Sequence, residues 1–303
     1  LSQEQVSQSK EALRMMGRLG DADTVSPFDP QKTGCSVTDK VFLNAVSAHA
    51  MEYNDLYYGM PGHPSAILGP VVFTMGSFLG STGREVLEAY IAALEIQSRI
   101  NQALLPVHHE KGFHSTSVSG VIGAALAASK LMKLPAAKMV NSLALACTSA
   151  CGLRRNFGTH ANSFHAAFAA ESGVRAAYLA ACGVDACPTL LTETDGYLPA
   201  FYGDVQKADR LMSTLGKSFC LEEPGLLIKK YPACFSVYQC VDAALEIYKF
   251  HDFSPEDIKS IRCLVPELTY YSLPDLTANS IYGRRFCVPY CCLEGNMGYS
   301  GII

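Results

Sequence analysis

The first two thirds of the chain carry apolar residues at helical spacing, in segments separated by glycine-containing turns. Gln3–Gly17 predicts a first helix. Arg84–Ile100 sets Val86, Leu87, Tyr90, Ile91 and Leu94 on one face and Glu88, Glu95 and Arg99 elsewhere, a period of about 3.6. Val118–Met132, Ala136–Cys151 and His165–Cys182 are crowded with Ala, Gly, Ser and Cys. Helices apolar on every side belong to an interior, and small residues let their backbones approach closely. The expectation is a compact core of several helices.

The pattern changes near Lys229. Lys229-Lys230-Tyr231-Pro232 ends an extended segment, because a residue before Pro avoids the helical region. Phe235–Phe250 reads as a helix with Asp242 and Glu246 on its polar side. Ser254-Pro255-Glu256-Asp257 reads as a helix start, with a capping Ser, a Pro in the first turn and acids behind it. Ser260–Val265 alternates Ile261, Cys263 and Val265 with other residues, which predicts a strand. The expected fold is therefore mainly α, a helical domain over residues 1–225 followed by the start of a small α/β domain over residues 226–303. No internal repeat or low-complexity linker interrupts it.

Composition narrows the class. Hydrophobic residues make up 49% and charged residues 17% of the 303. Disorder requires the opposite balance. A net charge of −4, without a long Lys/Arg run, argues against nucleic-acid binding and against anionic membrane surfaces. The stretches Pro64–Gly83 and Ser115–Ser129 are uncharged, but Pro, Gly, Ser and Thr break them, so neither predicts a spanning helix. Twelve cysteines without a CxxC pair, and no leader-like segment, point to reduced thiols in a cytoplasmic protein. Low charge content also predicts apolar surface for a homodimer. The chain opens on Leu1 and closes on Ile303 without capping patterns, which suggests a fragment, and such a piece by itself is expected to be aggregation-prone and inactive.

Candidate chemistry sits in three histidine neighbourhoods within Gly-, Pro- and Ser-rich loops. The first runs from Glu52 and Asp55 to His63, with Tyr53, Tyr57 and Tyr58 between them as packing residues. The second is His108-His109-Glu110-Lys111-Gly112-Phe113-His114-Ser115-Thr116, in which Ser and Thr would cap the next helix. The third joins Asn156 to His160 and His165. Imidazoles at the mouths of helices, near hydroxyls and backbone N–H groups, suit carboxylate binding and proton transfer. A structural role competes in each case, and Glu52 with Asp55 could simply cap a helix. A metal site from His108, His109 and His114 matches no familiar ligand spacing. P-loop, GxGxxG and GxSxG patterns are absent from the sequence.

The segments Ala48–Asp55 and Gly62-His63-Pro64-Ser65 resemble the AHALDFDD…GHPS signature of the MmgE/PrpD family. Gly112–Thr116 followed by Gly120–Leu134 is similar to its GWHPT…GAAAAAAKLLGL, and Cys151–Thr159 with the stretch from His165 to its GTMTKPLHAGRAA. Lys229–Cys234 resembles KPYPSC, and Arg285–Tyr290 resembles KFSLPYC. The resemblance implies an all-helical domain, a small α/β lid, a site between them and usually a homodimer. It also implies chemistry on di- or tricarboxylic acids without metal or organic cofactor: loss of water, loss of CO2, or movement of an α-proton.

Carried over, the family's first aspartate falls on Glu52, two histidines on His63 and His114, a lysine on Lys229 and a tyrosine on Tyr290. His63, His114 and Lys229 are then the expected catalytic residues. Glu52, Asp55, His160, Asn162 and Tyr290 are the expected substrate contacts. Two positions depart from the pattern: Leu56 stands where a threonine is usual, and Asn162 where a lysine is usual, with His160 a substitute donor two residues earlier. Losing a cation weakens a charge-assisted contact, which favours an altered or smaller substrate. The resemblance thus implies a lyase, with an epimerase, or a non-catalytic, decayed member that binds a carboxylate or a partner chain, as alternatives.

Overall fold

A computed structural model describes residues 2–19, 35–57, 62–251, 253–254, 257–266, 269, 273, 278 and 280–296. Tyr58, Pro255 and Glu256 lie outside them. The described residues are mainly helical. In chain order the helices are α1 (Ser2–Met15), α2 (Val37–Ala50), α3 (Ser65–Leu79), α4 (Gly83–Leu104), α5 (Val107–Glu110), α6 (Ser115–Leu131), α7 (Ala136–Cys147), α8 (Ala161–Ala181), α9 (Tyr197–Ala200), α10 (Val205–Met212), α11 (Tyr238–Phe250), α12 (Ile281–Arg284) and α13 (Val288–Asn296). Strand β1 (Asp55–Tyr57) pairs antiparallel with β2 (Leu226–Ile228), Asp55 opposite Ile228. That pairing ties the segment before Lys229 to the loop that follows α2.

Helix α6 is the centre of the bundle and packs against α3, α4, α7 and α8. Almost all of it is buried, as its small, apolar sequence predicts. Its approach to α8 depends on Gly173: a Cβ there would lie 2.4 Å from that of Ala124 and 2.7 Å from the Ala125 nitrogen. Overpacking of this kind typically costs about 1–3 kcal/mol.

Four expectations need correction. Leu87 is 62% exposed, whereas Glu95 and Arg99 are buried. Arg99 bonds Glu95 Oε2 at 3.2 Å and also bonds Thr214 Oγ1 and the carbonyls of Leu211 and Ser218. A charge enters an interior when it is paired and hydrogen-bonded, and here the pair fastens the chain after α10. Second, α7 ends at Cys147 rather than Cys151, and only Ser142, Ala144, Ala146 and Cys147 are buried in it. It is a flank of the bundle, not its interior. Third, no strand occurs at residues 260–265, where the alternation finds no neighbouring strand among the described residues. Fourth, Ser115 and Thr116 do not cap α6: its N-cap is His114, without a side-chain capping bond. Thr116 Oγ1 instead accepts the His63 backbone N–H at 3.1 Å.

Beyond β2, α11 packs on α13 around Ala233, Val237, Val241 and Cys291. The Arg285 guanidinium reaches back and donates to the Ala50 carbonyl at 2.9 Å, at the end of α2. That bond brings α12 over the same helix terminus. Among the described residues, no helix is long and apolar enough to cross a membrane.

Candidate active site

The C-terminal end of α2 delivers two of the site's groups. His49 lies on its last turn, and Glu52 follows with φ +52°, a left-handed conformation that is uncommon for a residue with a side chain. The turn aims the Glu52 carboxylate inward, where it is 1% exposed. Oε2 lies 2.8 Å from Lys229 Nζ, immediately after β2. Oε1 accepts from Tyr282 OH at 2.9 Å and Asn162 Nδ2 at 3.1 Å. Burial would push the carboxyl up, but Lys229, then His49 and His63, hold it at about 2. Glu52 is thus an ionised anchor whose two oxygens are taken by three donors.

Four imidazoles stand around this ion pair. The His63 ring is fixed by Nδ1, 2.8 Å from the Asp55 carbonyl oxygen. A carbonyl only accepts, so Nδ1 carries the proton and Nε2 keeps its lone pair. His49 lies edge-on to both His63 and His114, with ring centroids 5.4 and 6.1 Å apart. His114 Nδ1 is 3.0 Å from His165 Nδ1, and the His114 ring meets Phe157 edge-on. Burial, reinforced by Lys229 and His49, lowers His63 to about 3. Burial, then His49, lowers His165 to about 4. Burial and the neighbouring imidazoles hold His114 well below its ordinary value, and burial also lowers His49. At neutral pH all four rings are uncharged.

The remaining candidates divide. Asp55 ties the start of α3: its carboxylate accepts from Ser65 N at 3.1 Å and Ser65 Oγ at 2.6 Å. Asn162 lies inside the constellation, and His160 beside it, edge-on to Tyr282 at 5.9 Å. The Tyr290 ring lies under the Arg284 guanidinium, 5.0 Å away, and Tyr282 is the tyrosine that reaches Glu52. His108 stacks on Phe113, so of the second neighbourhood it is His114 that joins the imidazoles. No group of metal-ligating side chains occurs among the described residues.

Comparison with known proteins gives the family. A model of the MmgE/PrpD N-terminal domain matches residues 1–209, and one of the C-terminal domain matches residues 231–292. The chain belongs to the MmgE/PrpD family. It is 30% identical over 247 residues to cis-aconitate decarboxylase of Homo sapiens, covering 78% of this chain and 51% of the relative. The mouse enzyme of that name is 28% identical over 249 residues, covering 78% and 50%. That of Aspergillus terreus is 31% identical over 166 residues, covering 52% and 34%. The chain spans about half the length of the mammalian relatives.

Within this family member, the motif reading passes over two residues that the fold brings to the site. His49 had a signal, a lone imidazole three positions before Glu52 on an otherwise apolar helix end. Tyr282 had none, because it reaches Glu52 from a distant part of the chain, among contacts with Asn162 and Ser163 that no spacing records.

The buried rings also set an acid limit on stability. An unfolded histidine takes its proton near 6.5, whereas His63 and His165 wait until about 3 and 4. Their contribution is whole above pH 6.5 and is lost as the pH falls toward those values, because the unfolded chain then binds protons that the fold excludes. Glu52 adds a loss in the same direction from 4.5 toward 2. The thermal midpoint should be level near pH 7–8 and fall steeply below about pH 6. A midpoint unchanged down to about pH 4.5 would contradict it.

Proposed function

We propose that the whole protein is a cofactor-independent lyase acting on a di- or tricarboxylic acid, with decarboxylation of a cis-aconitate-like substrate as the first reaction to test. The observation that carries this is the buried Glu52–Lys229 pair set among neutral imidazoles. Glu52 fixes Lys229 Nζ in place while using one of its three N–H donors, so the others can hold a substrate carboxylate. His63 Nε2 is a lone pair beside that cation, suited to take or return a proton at the adjacent carbon. In decarboxylation the carbon–carboxylate bond breaks, CO2 leaves, and the electron pair left on carbon takes up a proton. A polycarboxylate entering this group adds negative charge beside uncharged rings. It therefore raises their proton affinity when a donor is needed.

Asn162 in place of a cation supports a substrate with fewer or differently placed carboxylates than a tricarboxylate. The family's epimerase chemistry begins with the same proton transfer and is the second reading. Exposed Phe73, Phe78, Leu79 and Leu87 on α3 and α4 support a homodimer as part of the proposal.

The test is incubation of the full-length protein in D2O with cis-aconitate, citrate-like acids and amino-dicarboxylates, followed by NMR. Loss of a carboxylate or of water supports the lyase. Deuterium entering next to a carboxylate without net conversion transfers the assignment to the epimerase. A folded protein that leaves every acid unchanged overturns both.

A further inference from the structure

The contact between His114 and His165 is unusual because the two rings meet through the same kind of nitrogen, Nδ1 to Nδ1 at 3.0 Å. Two protonated nitrogens at that distance would clash, and two lone pairs would repel. One proton must lie between them, and its owner decides which nitrogen of His114 faces the site with a hydrogen. The other end of His165 supplies the answer. Its Nε2 lies 3.5 Å from Asn156 Nδ2, an amide nitrogen that donates and cannot accept.

We propose that Asn156 and His165 are positioning residues forming a relay that fixes the tautomer of His114, so that His114 presents Nε2–H to the substrate while His63 presents a bare Nε2. The chain of donors runs one way. Asn156 donates to His165 Nε2, which leaves the single proton of the neutral ring on Nδ1. That proton is donated to His114 Nδ1, and the proton of His114 is left on Nε2. His63 is locked in the opposite tautomer by the Asp55 carbonyl. Two rings of one residue type, both kept neutral by burial, thus acquire different roles: His63 is poised to accept a proton and His114 to donate one. Phe157, next to Asn156, packs edge-on to His114 with centroids 4.7 Å apart and holds its plane. Asn156 is itself held at the end of a short turn, its N–H on the Leu153 carbonyl and its carbonyl bonded by Thr159.

The inference rests on the reading of His114 as a proton-transfer residue, but its test does not need turnover. Full-length protein with 15N-labelled histidine is examined by long-range 1H–15N NMR at neutral pH, which reports the protonated nitrogen of each ring. His114 is expected as the Nε2–H form and His63 as the Nδ1–H form. Asn156→Leu, at an exposed position, removes the bias without threatening the fold and should give His114 as a mixture of tautomers. His165→Asn keeps an N–H near the position of Nδ1 and should restore the single form. In active protein, Asn156→Leu should lower kcat about tenfold while KM moves less than about twofold, since the interaction lost is one felt in proton transfer. His114 protonated on Nδ1 in the parent, or one unchanged tautomer in Asn156→Leu, overturns the relay. If the tautomers come out as stated and no acid is converted, the relay stands and the lyase reading falls.

Discussion

Lys229→Met should cost about 3–5 kcal/mol of stability and abolish turnover, because removing one partner of a buried ion pair leaves the other charge uncompensated. Glu52 is 1% exposed, and its carboxyl is held at about 2 largely against its own burial. Without Lys229 it keeps the donors Asn162 and Tyr282 and the His49 ring, whose Nδ1 lies 3.6 Å away. Adding Glu52→Gln to Lys229→Met removes the stranded charge, since an amide oxygen can still accept from Tyr282. Most of the stability should return. Activity should not, because the cation that would hold a substrate carboxylate is gone. Urea denaturation with the substrate assay separates the two effects. A single Lys229→Met variant within about 1 kcal/mol of the parent would mean that the pair is not tied to the fold in this way.

The helices were legible wherever burial follows from apolar side chains alone. The Ala- and Gly-rich stretch of α6 could only be interior, and it is. Reading failed where a polar group is buried because a distant partner satisfies it. Glu95 and Arg99 read as lying off the apolar face, yet Arg99 also bonds Thr214 and the carbonyls of Leu211 and Ser218, more than a hundred residues along the chain. Ser260–Val265 failed for a related reason: alternation supplies a face, not a neighbouring strand.

In the site, motifs pointed to Glu52, His63, His114 and Lys229, which the fold does gather. They could not separate Glu52, which holds Lys229, from Asp55, which holds Ser65 at the start of α3. Those two residues differ in what they touch, and nothing in their spacing records it. The same holds for His49, which meets the rings of His63 and His114, and for Tyr282, which reaches Glu52 from α12.

His63→Ala and His114→Ala should each reduce turnover by about 10²–10⁴-fold, the usual worth of a positioned acid or base. In the proposed reaction the two rings act on one substrate from opposite tautomers, so removing either would interrupt the same proton movement. Groups that act as a unit are strongly non-additive. The double variant should therefore lose little more than the worse of the singles, well short of the product of the two losses. The structural cost must be read separately, because His63 Nδ1 holds the Asp55 carbonyl and His114 stands at the head of α6. Thermal midpoints of all three variants supply that reading, and His63→Gln retains an N–H donor in the same region. Losses below about threefold with the folding transition intact would remove His63 and His114 from the chemistry. Strictly multiplicative losses would place the two rings on independent steps.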